Sequence, residues 1–298
     1  MSREHTWLPL AAALVAIALL SLMDALMKEA SLAVGAYSAL LLRSWINAAA
    51  IGPVWLATRE GPPSPSVRRL HIRRGIVITF MALTFFWGIA RLPLAEALAL
   101  TFIAPIIALF LAAVLLGETI RCAAIIASLM GLAGVVLIAL TRGGSSAAHP
   151  DAAWGTAAVL GSAVLYAWNL VLQRQQALLA APVEMATWQN LVVGLILLPA
   201  APWLLGWPEA AAWFAIAASA ALSLAGALLF AWAYRRAEAQ VLVPLEYTGF
   251  AWAALFGWLL FAEAVRLEVL AGAALIVVGC WIALPRSAFR KRPEQTAT

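Results

Sequence analysis

At 298 residues, with 65% hydrophobic and only 11% charged side chains, the chain has too little polar surface to clothe a soluble globule. Its net charge of +5 gathers in short clusters and forms no basic face on a soluble domain, which excludes a nucleic-acid-binding module. What remains is an integral membrane protein.

Apolar stretches close to the ~20 residues that a helix needs to cross hydrocarbon run from Trp7 to Met27, Tyr37 to Thr58, Ile72 to Ala90, Leu94 to Leu116 and Cys122 to Thr141. A second set follows from Ala152 to Val171, Glu184 to Leu205, Ala211 to Tyr234, Gln240 to Ala262 and Leu267 to Leu284. These stretches predict an all-α membrane protein of ten spans. A signal peptide is the rival reading of residues 1–27, but the run is long for one and no cleavage-like segment follows.

The second set repeats the first. The segment from Arg91 to Leu137 reappears without gaps as Arg236 to Ile282, a shift of 145 residues that carries Trp87 onto Trp232 and Glu118 onto Glu263. Residues 1–142 therefore form a first five-span repeat, 143–151 a linker, 152–285 a second repeat and 286–298 a basic tail. An odd number of spans per repeat makes the second copy enter the membrane from the opposite side. Such inverted repeats suit a transporter whose two halves rock about a midplane site.

Arg59, Arg68, Arg69, Arg73 and Arg74 crowd the expected loop after the second span, and Arg286, Arg290, Lys291 and Arg292 crowd the tail. Lys and Arg are retained on the cytoplasmic side, so both termini are expected there. Cys122 and Cys280 sit in apolar stretches without metal-ligand spacing and read as core thiols.

Polar side chains within the spans carry the functional information, because one at mid-bilayer depth costs ~2.5–3.5 kcal/mol and is kept only when it faces a cavity or a partner. Ser21, Asp24 and Lys28 share one face of the first span, and the repeat shift maps them onto Tyr166, Asn169 and Gln173 of the sixth. Asp24 and Lys28 read either as a helix ion pair or as an amphoteric patch for a zwitterion. Tyr166 and Asn169 read either as interfacial and interhelical groups or as cavity groups.

Glu246 is the strongest single candidate, a carboxylate beside Pro244 inside the ninth span that would accept an ammonium group or carry a proton. Its counterpart region in the fourth span holds Thr101, Phe102 and, a turn later, Pro105, so Pro105 and Pro244 are the expected hinges. Trp87, Trp232, Phe102 and Tyr247 read either as interfacial aromatics or as the lining of a path for a flat cargo. Arg43, the sole basic residue well within an apolar stretch, reads as structural before it reads as a carboxylate ligand. Glu118 and Glu263 read as helix caps.

An intramembrane enzyme would need a convergent catalytic set, yet His5, His71 and His149 all fall in expected tails or loops. The sequence holds no metal-ligand spacing and no phosphate-binding Gly-Lys-Ser/Thr loop, so neither a metal nor a cofactor is expected.

Arg43 with the alanines after it, Thr101-Phe102-Ile103-Ala104-Pro105, Leu115-Leu116-Gly117-Glu118, Gly131 and Gly134 in the first half resemble the drug/metabolite transporter superfamily in its ten-helix EamA-type branch. Pro244-Leu245-Glu246-Tyr247, Phe261-Ala262-Glu263, Gly272 and Gly279 continue the resemblance in the second half, so it covers essentially the whole chain. Met23-Asp24-Ala25-Leu26-Met27-Lys28 departs from the Trp-Gly-rich opening frequent in that family.

The resemblance implies a secondary transporter in a bacterial inner membrane. It further implies alternating access and a cavity formed by spans one, three, four, six, eight and nine. Carried onto this chain, the cavity residues are Asp24, Lys28, Trp87, Thr101, Phe102, Tyr166, Asn169, Trp232, Glu246 and Tyr247. The implied partners are the lipid bilayer and a small metabolite, with protons as a candidate coupling ion. Within the branch the chain resembles the YddG-like exporters of aromatic or hydrophobic amino acids. A riboflavin-type or quaternary-ammonium cargo is the alternative.

Overall fold

The computed structural model describes residues 7–59, 61–92, 94–101, 103–116, 151–237, 239–242, 245–246 and 248–261, with isolated positions between 122 and 133 and between 271 and 278. Every regular element among them is helical. Six helices are long and apolar enough to cross a membrane: Leu8–Val34, Ala36–Thr58, Pro65–Ile89, Ala153–Ala177, Pro182–Leu204 and Ala210–Arg236. They are the expected first, second, third, sixth, seventh and eighth spans. The fourth is described as Leu94–Thr101 and Ile103–Leu116, and the ninth as Ala239–Leu242 and Thr248–Phe261. Phe102, Pro244, Tyr247, Glu118, Glu263, Cys280, the side chain of Pro105 and most of the expected fifth and tenth spans lie outside the described residues.

Helix boundaries follow local chemistry. A single residue, Gly35, separates the first two spans at φ +81°, a left-handed conformation that side-chain-bearing residues rarely adopt. Its N–H donates to Ser31 O at 3.0 Å and its carbonyl accepts from Ala39 N at 3.1 Å, closing one helix and opening the next. In the seventh span Pro199 and Pro202 interrupt the backbone ladder, and Leu198–Ala200 tightens into a 3₁₀ turn. Tyr37 O–H then donates to Leu197 O, and Ser38 Oγ donates to Leu204 O at 3.3 Å. Those hydroxyls of the second span satisfy carbonyls that the seventh leaves open.

The third span begins earlier than hydropathy indicates. Ser64 caps it, accepting from Val67 N, and Pro65 occupies its first turn, so the helix runs from Pro65 to Ile89. Arg68, Arg69, Arg73, Arg74 and His71 are therefore helical, where a loop was expected, and His71 and Arg74 are buried. Averaged hydropathy placed the start at Ile72 because charge density lowers the mean even where the chain is helical and one face is covered.

Helices of the two repeats pack against each other in a matched way. The three most extensive contacts pair the first span with the eighth, the third with the sixth and the second with the seventh. Each uses a glycine. Gly88 lies against Val159 and the Gly155 carbonyl, Gly226 against Leu20 and Ala16, and Gly194 against the Trp45 ring. A Cβ on Gly88 would sit 2.5 Å from Val159 Cγ2 and 3.0 Å from Gly155 O. Gly88→Ala is therefore expected to destabilise the protein by about 1–3 kcal/mol, read as a lowered thermal midpoint in detergent.

The outward surface is apolar. Phe80, Phe110, Val114, Phe214 and Trp258 are exposed side chains of these helices, an arrangement that lipid favours and water does not.

Candidate functional site

The helices enclose a cavity of about 230 Å³. The third span supplies one wall through Arg74, Ile78, Met81, Ala82, Phe85 and Phe86, a set whose spacing is one face of a helix. Ser21 and Asp24 of the first span, Arg43 of the second, Thr101 of the fourth and Ser162, Tyr166, Asn169 and Gln173 of the sixth complete much of the polar lining. Gln189 and Asn190 of the seventh span, Ser223 and Phe230 of the eighth, and Glu246 join them.

Of the ten residues expected to line a cavity, Asp24, Thr101, Tyr166, Asn169 and Glu246 are brought together here. Phe102 and Tyr247 lie outside the described residues. Lys28 turns away: its Nζ donates to Leu92 O at 3.0 Å and stands 5.3 Å from the Phe261 ring centroid, so it does not pair with Asp24. Trp87 and Trp232 do not line this cavity. Arg91 lies over Trp87 at 3.5 Å from the ring centroid and donates to its carbonyl at 3.0 Å, and Arg236 repeats both contacts on Trp232 at 4.0 and 3.4 Å. The repeat mates are thus twin helix-end caps, with cations at C-terminal carbonyls.

Glu246 is held in a short 3₁₀ segment next to the ninth-span helix Thr248–Phe261. It is 9% exposed, its Oε2 accepts a hydrogen bond from Tyr166 O–H, and its Oε1 is buried without a partner. Ser21 Oγ donates to Gly249 O at 3.4 Å, which ties the first span to this segment. Arg43 is equally covered and also incompletely satisfied: Nη1 donates to Met23 Sδ at 2.9 Å, the guanidinium lies 5.1 Å from the Phe86 ring centroid, and Nε has no partner. A cation and an anion, each with an open hydrogen-bonding position, therefore line the same cavity. A molecule with an ammonium and a carboxylate supplies both missing partners. Because Tyr166 is the one hydrogen-bond donor to Glu246 among the described residues, Tyr166→Phe is expected to weaken cargo affinity about tenfold, measured by equilibrium binding to the purified protein.

Arg74 also lines the cavity, and sequence reading did not name it as a candidate. Its Nε, Nη1 and Nη2 donate to Asn169 Oδ1 at 3.0 Å, Gln176 Oε1 at 2.9 Å and Gln173 Oε1 at 2.8 Å. Gln176 Nε2 continues to His71 Nδ1 at 2.7 Å, and His71 Nε2 reaches Glu184 Oε1 at 2.8 Å. With the amide N–H donating to Nδ1, the imidazole proton sits on Nε2 and donates to Glu184. His71 also stacks on Trp188, ring centroids 5.4 Å apart. Arg43, read as structural before functional, belongs to the lining too. A signal for Arg74 was present: it shares a helical face with Ile78, Met81 and Phe85.

Comparison with known proteins agrees with this architecture. The two halves separately match the EamA-like transporter family, over residues 7–140 and 153–284. The chain is 28% identical over 277 residues to the pseudopaline exporter CntI of two Pseudomonas aeruginosa strains, UCBPP-PA14 and PAO1, covering 90% of this chain and 92% of each relative. A crystal structure superposes with a TM-score of 0.73 at 24% identity, over 92% of this chain and 98% of its own. With both repeats matched, the apolar helices spanning the bilayer and a polar cavity enclosed between them, this multi-pass membrane protein belongs to the EamA-like transporter family.

Proposed function

We propose that the chain exports amino acids, in the first instance those with aromatic or hydrophobic side chains, by alternating access through the cavity between its halves. The observation that carries this reading is the pair of open charged positions, Arg43 Nε and Glu246 Oε1, in one enclosed space. A cargo carboxylate bonds to Arg43 and its ammonium to Glu246, beside Tyr166 and Asn169. Ile78, Met81, Phe85, Phe86 and Phe230 offer an apolar wall to the side chain.

In this reading the chain forms ten spans as two inverted five-span repeats in a bacterial inner membrane, with both termini in the cytoplasm. Cargo is admitted from the cytoplasm, and the halves bend near Pro105 and Pro244 to close one side and open the other. Asp24 and Glu246 are the candidate proton carriers. A second reading, export of a metabolite other than an amino acid, is favoured by the name of the 28% identical relatives, which are pseudopaline exporters.

Purified protein in liposomes loaded with radiolabelled phenylalanine, tryptophan, threonine or choline tests the assignment. Saturable efflux of phenylalanine and tryptophan is expected, and a response to an imposed pH gradient would mark proton coupling. Efflux of choline alone, or of none of the four above protein-free liposomes, would withdraw the amino acid reading.

A further inference from the structure

Arg74 presents an unusual bonding inventory for a buried cation in a membrane protein. A guanidinium has five N–H donors. Three are used, one each on Nε, Nη1 and Nη2, and all three acceptors are neutral amide oxygens from one face of the sixth span. Glu184, the carboxylate at the edge of this network, is taken by His71. One N–H on each terminal nitrogen of the guanidinium fork therefore remains for a further acceptor such as a carboxylate. Three amides solvate the charge without cancelling it, and Arg74 lines the cavity at 6% exposure.

Its place along the cavity fixes what that fork reads. Tyr166, the partner of Glu246, and Gln173, a partner of Arg74, are on the same helix, about 10 Å apart along its axis at 1.5 Å per residue. On the third span, Phe86 marks the level of Arg43 and lies three turns from Arg74. Arg43 and Glu246 thus both stand to one side of the Arg74 fork along the cavity, with Ile78, Met81 and Phe85 on the wall between Phe86 and Arg74.

We infer that Arg74 is a second anion-reading position, so that the preferred cargo is an amino acid whose apolar side chain ends in a carboxylate. This rests on the amino acid reading above and refines it. A carboxylate brings the opposite charge that neutral acceptors lack, and the amide oxygens already present hold the fork in place. Were Arg74 only a tie between the third and sixth spans, a terminal carboxylate on the cargo would bring no advantage and would be left buried without a partner.

The test compares phenylalanine with 4-carboxyphenylalanine on the full-length protein, as competitors of labelled phenylalanine efflux from liposomes and as stabilisers of the protein against heat in detergent. The carboxylated compound is expected to compete at least about tenfold better than phenylalanine. That ratio is expected to fall to one or below in Arg74→Gln. It should also fall in Gln173→Glu, which keeps the arginine and gives it an internal carboxylate. Equal or weaker competition by the carboxylated compound, or a ratio preserved in both variants, would overturn the inference while leaving phenylalanine transport in place. If phenylalanine is not transported, the amino acid reading falls and heat stabilisation decides separately. Stabilisation by the carboxylated compound that disappears in Gln173→Glu supports Arg74 as an anion site, and no stabilisation by either compound overturns it.

Discussion

Glu246→Gln is expected to lower transport roughly a hundredfold, because it replaces a buried carboxylate by a group that cannot pair with an ammonium. The loss corresponds to about 3 kcal/mol, within the range found when one member of a buried charge pair is truncated. The substitution is nearly isosteric, and Gln retains a carbonyl oxygen able to accept from Tyr166, so the fold is expected to persist with an unchanged elution profile. Cargo chemistry makes the effect specific. 3-Phenylpropionate, which has the carboxylate and ring of phenylalanine and no ammonium, should compete equally well with both proteins. If proton-dependent transport continues unaltered in Glu246→Gln at normal expression, Glu246 is not the proton carrier, and Asp24 becomes the residue to replace.

Arg43→Ala should produce the complementary defect. The guanidinium is buried, rests on Phe86 and has no partner at Nε, so its removal takes away both the positive charge and the donors that a cargo carboxylate would use. A loss of about 2–4 kcal/mol in binding is expected, seen as a rise in KM of roughly thirtyfold or more. Phenethylamine, which lacks the carboxylate, should be indifferent to the change. Arg43→Lys restores the charge without the fork and should recover only part of the affinity. Combining Arg43→Ala with Glu246→Gln gives a double-mutant cycle. Strong non-additivity is expected if the two side chains hold opposite ends of one head group, and full additivity would place them on separate tasks.

Long apolar runs made six spans legible, with the ends of the second, seventh and eighth within a few residues, whereas the first and sixth continue through polar residues to Val34 and Ala177 and the third starts early at Pro65. Internal duplication was legible because 145-residue register is a property of letters alone. Asp24, Tyr166, Asn169 and Glu246 were legible as site candidates for the energetic reason that polar groups do not persist in hydrocarbon without a use. What escaped were the two arginines. Arg74 was hidden by its neighbours Arg68, Arg69 and Arg73, which give the segment the average of a loop although one face of the helix is buried. Arg43 was noticed, yet no local pattern distinguishes an arginine on an aromatic ring beside a cavity from one that reaches for the interface. Lys28 was misplaced for the opposite reason: helical spacing puts it on the Asp24 face, and its long side chain then reaches the Leu92 carbonyl.

The pairing of helices between the repeats has a consequence for how such a chain could be assembled. Under the 145-residue shift the contact of the first span with the eighth becomes that of the sixth with the third, and the second with the seventh maps onto itself. That is the pattern of an isologous dimer, in which one surface patch meets its own copy. The junction thus has the character of a subunit interface, and a cut within residues 143–151, the stretch read from the sequence as a linker, removes none of those three contacts. Two co-expressed half-chains, neither a complete transporter, should therefore find each other in the bilayer and rebuild the cavity.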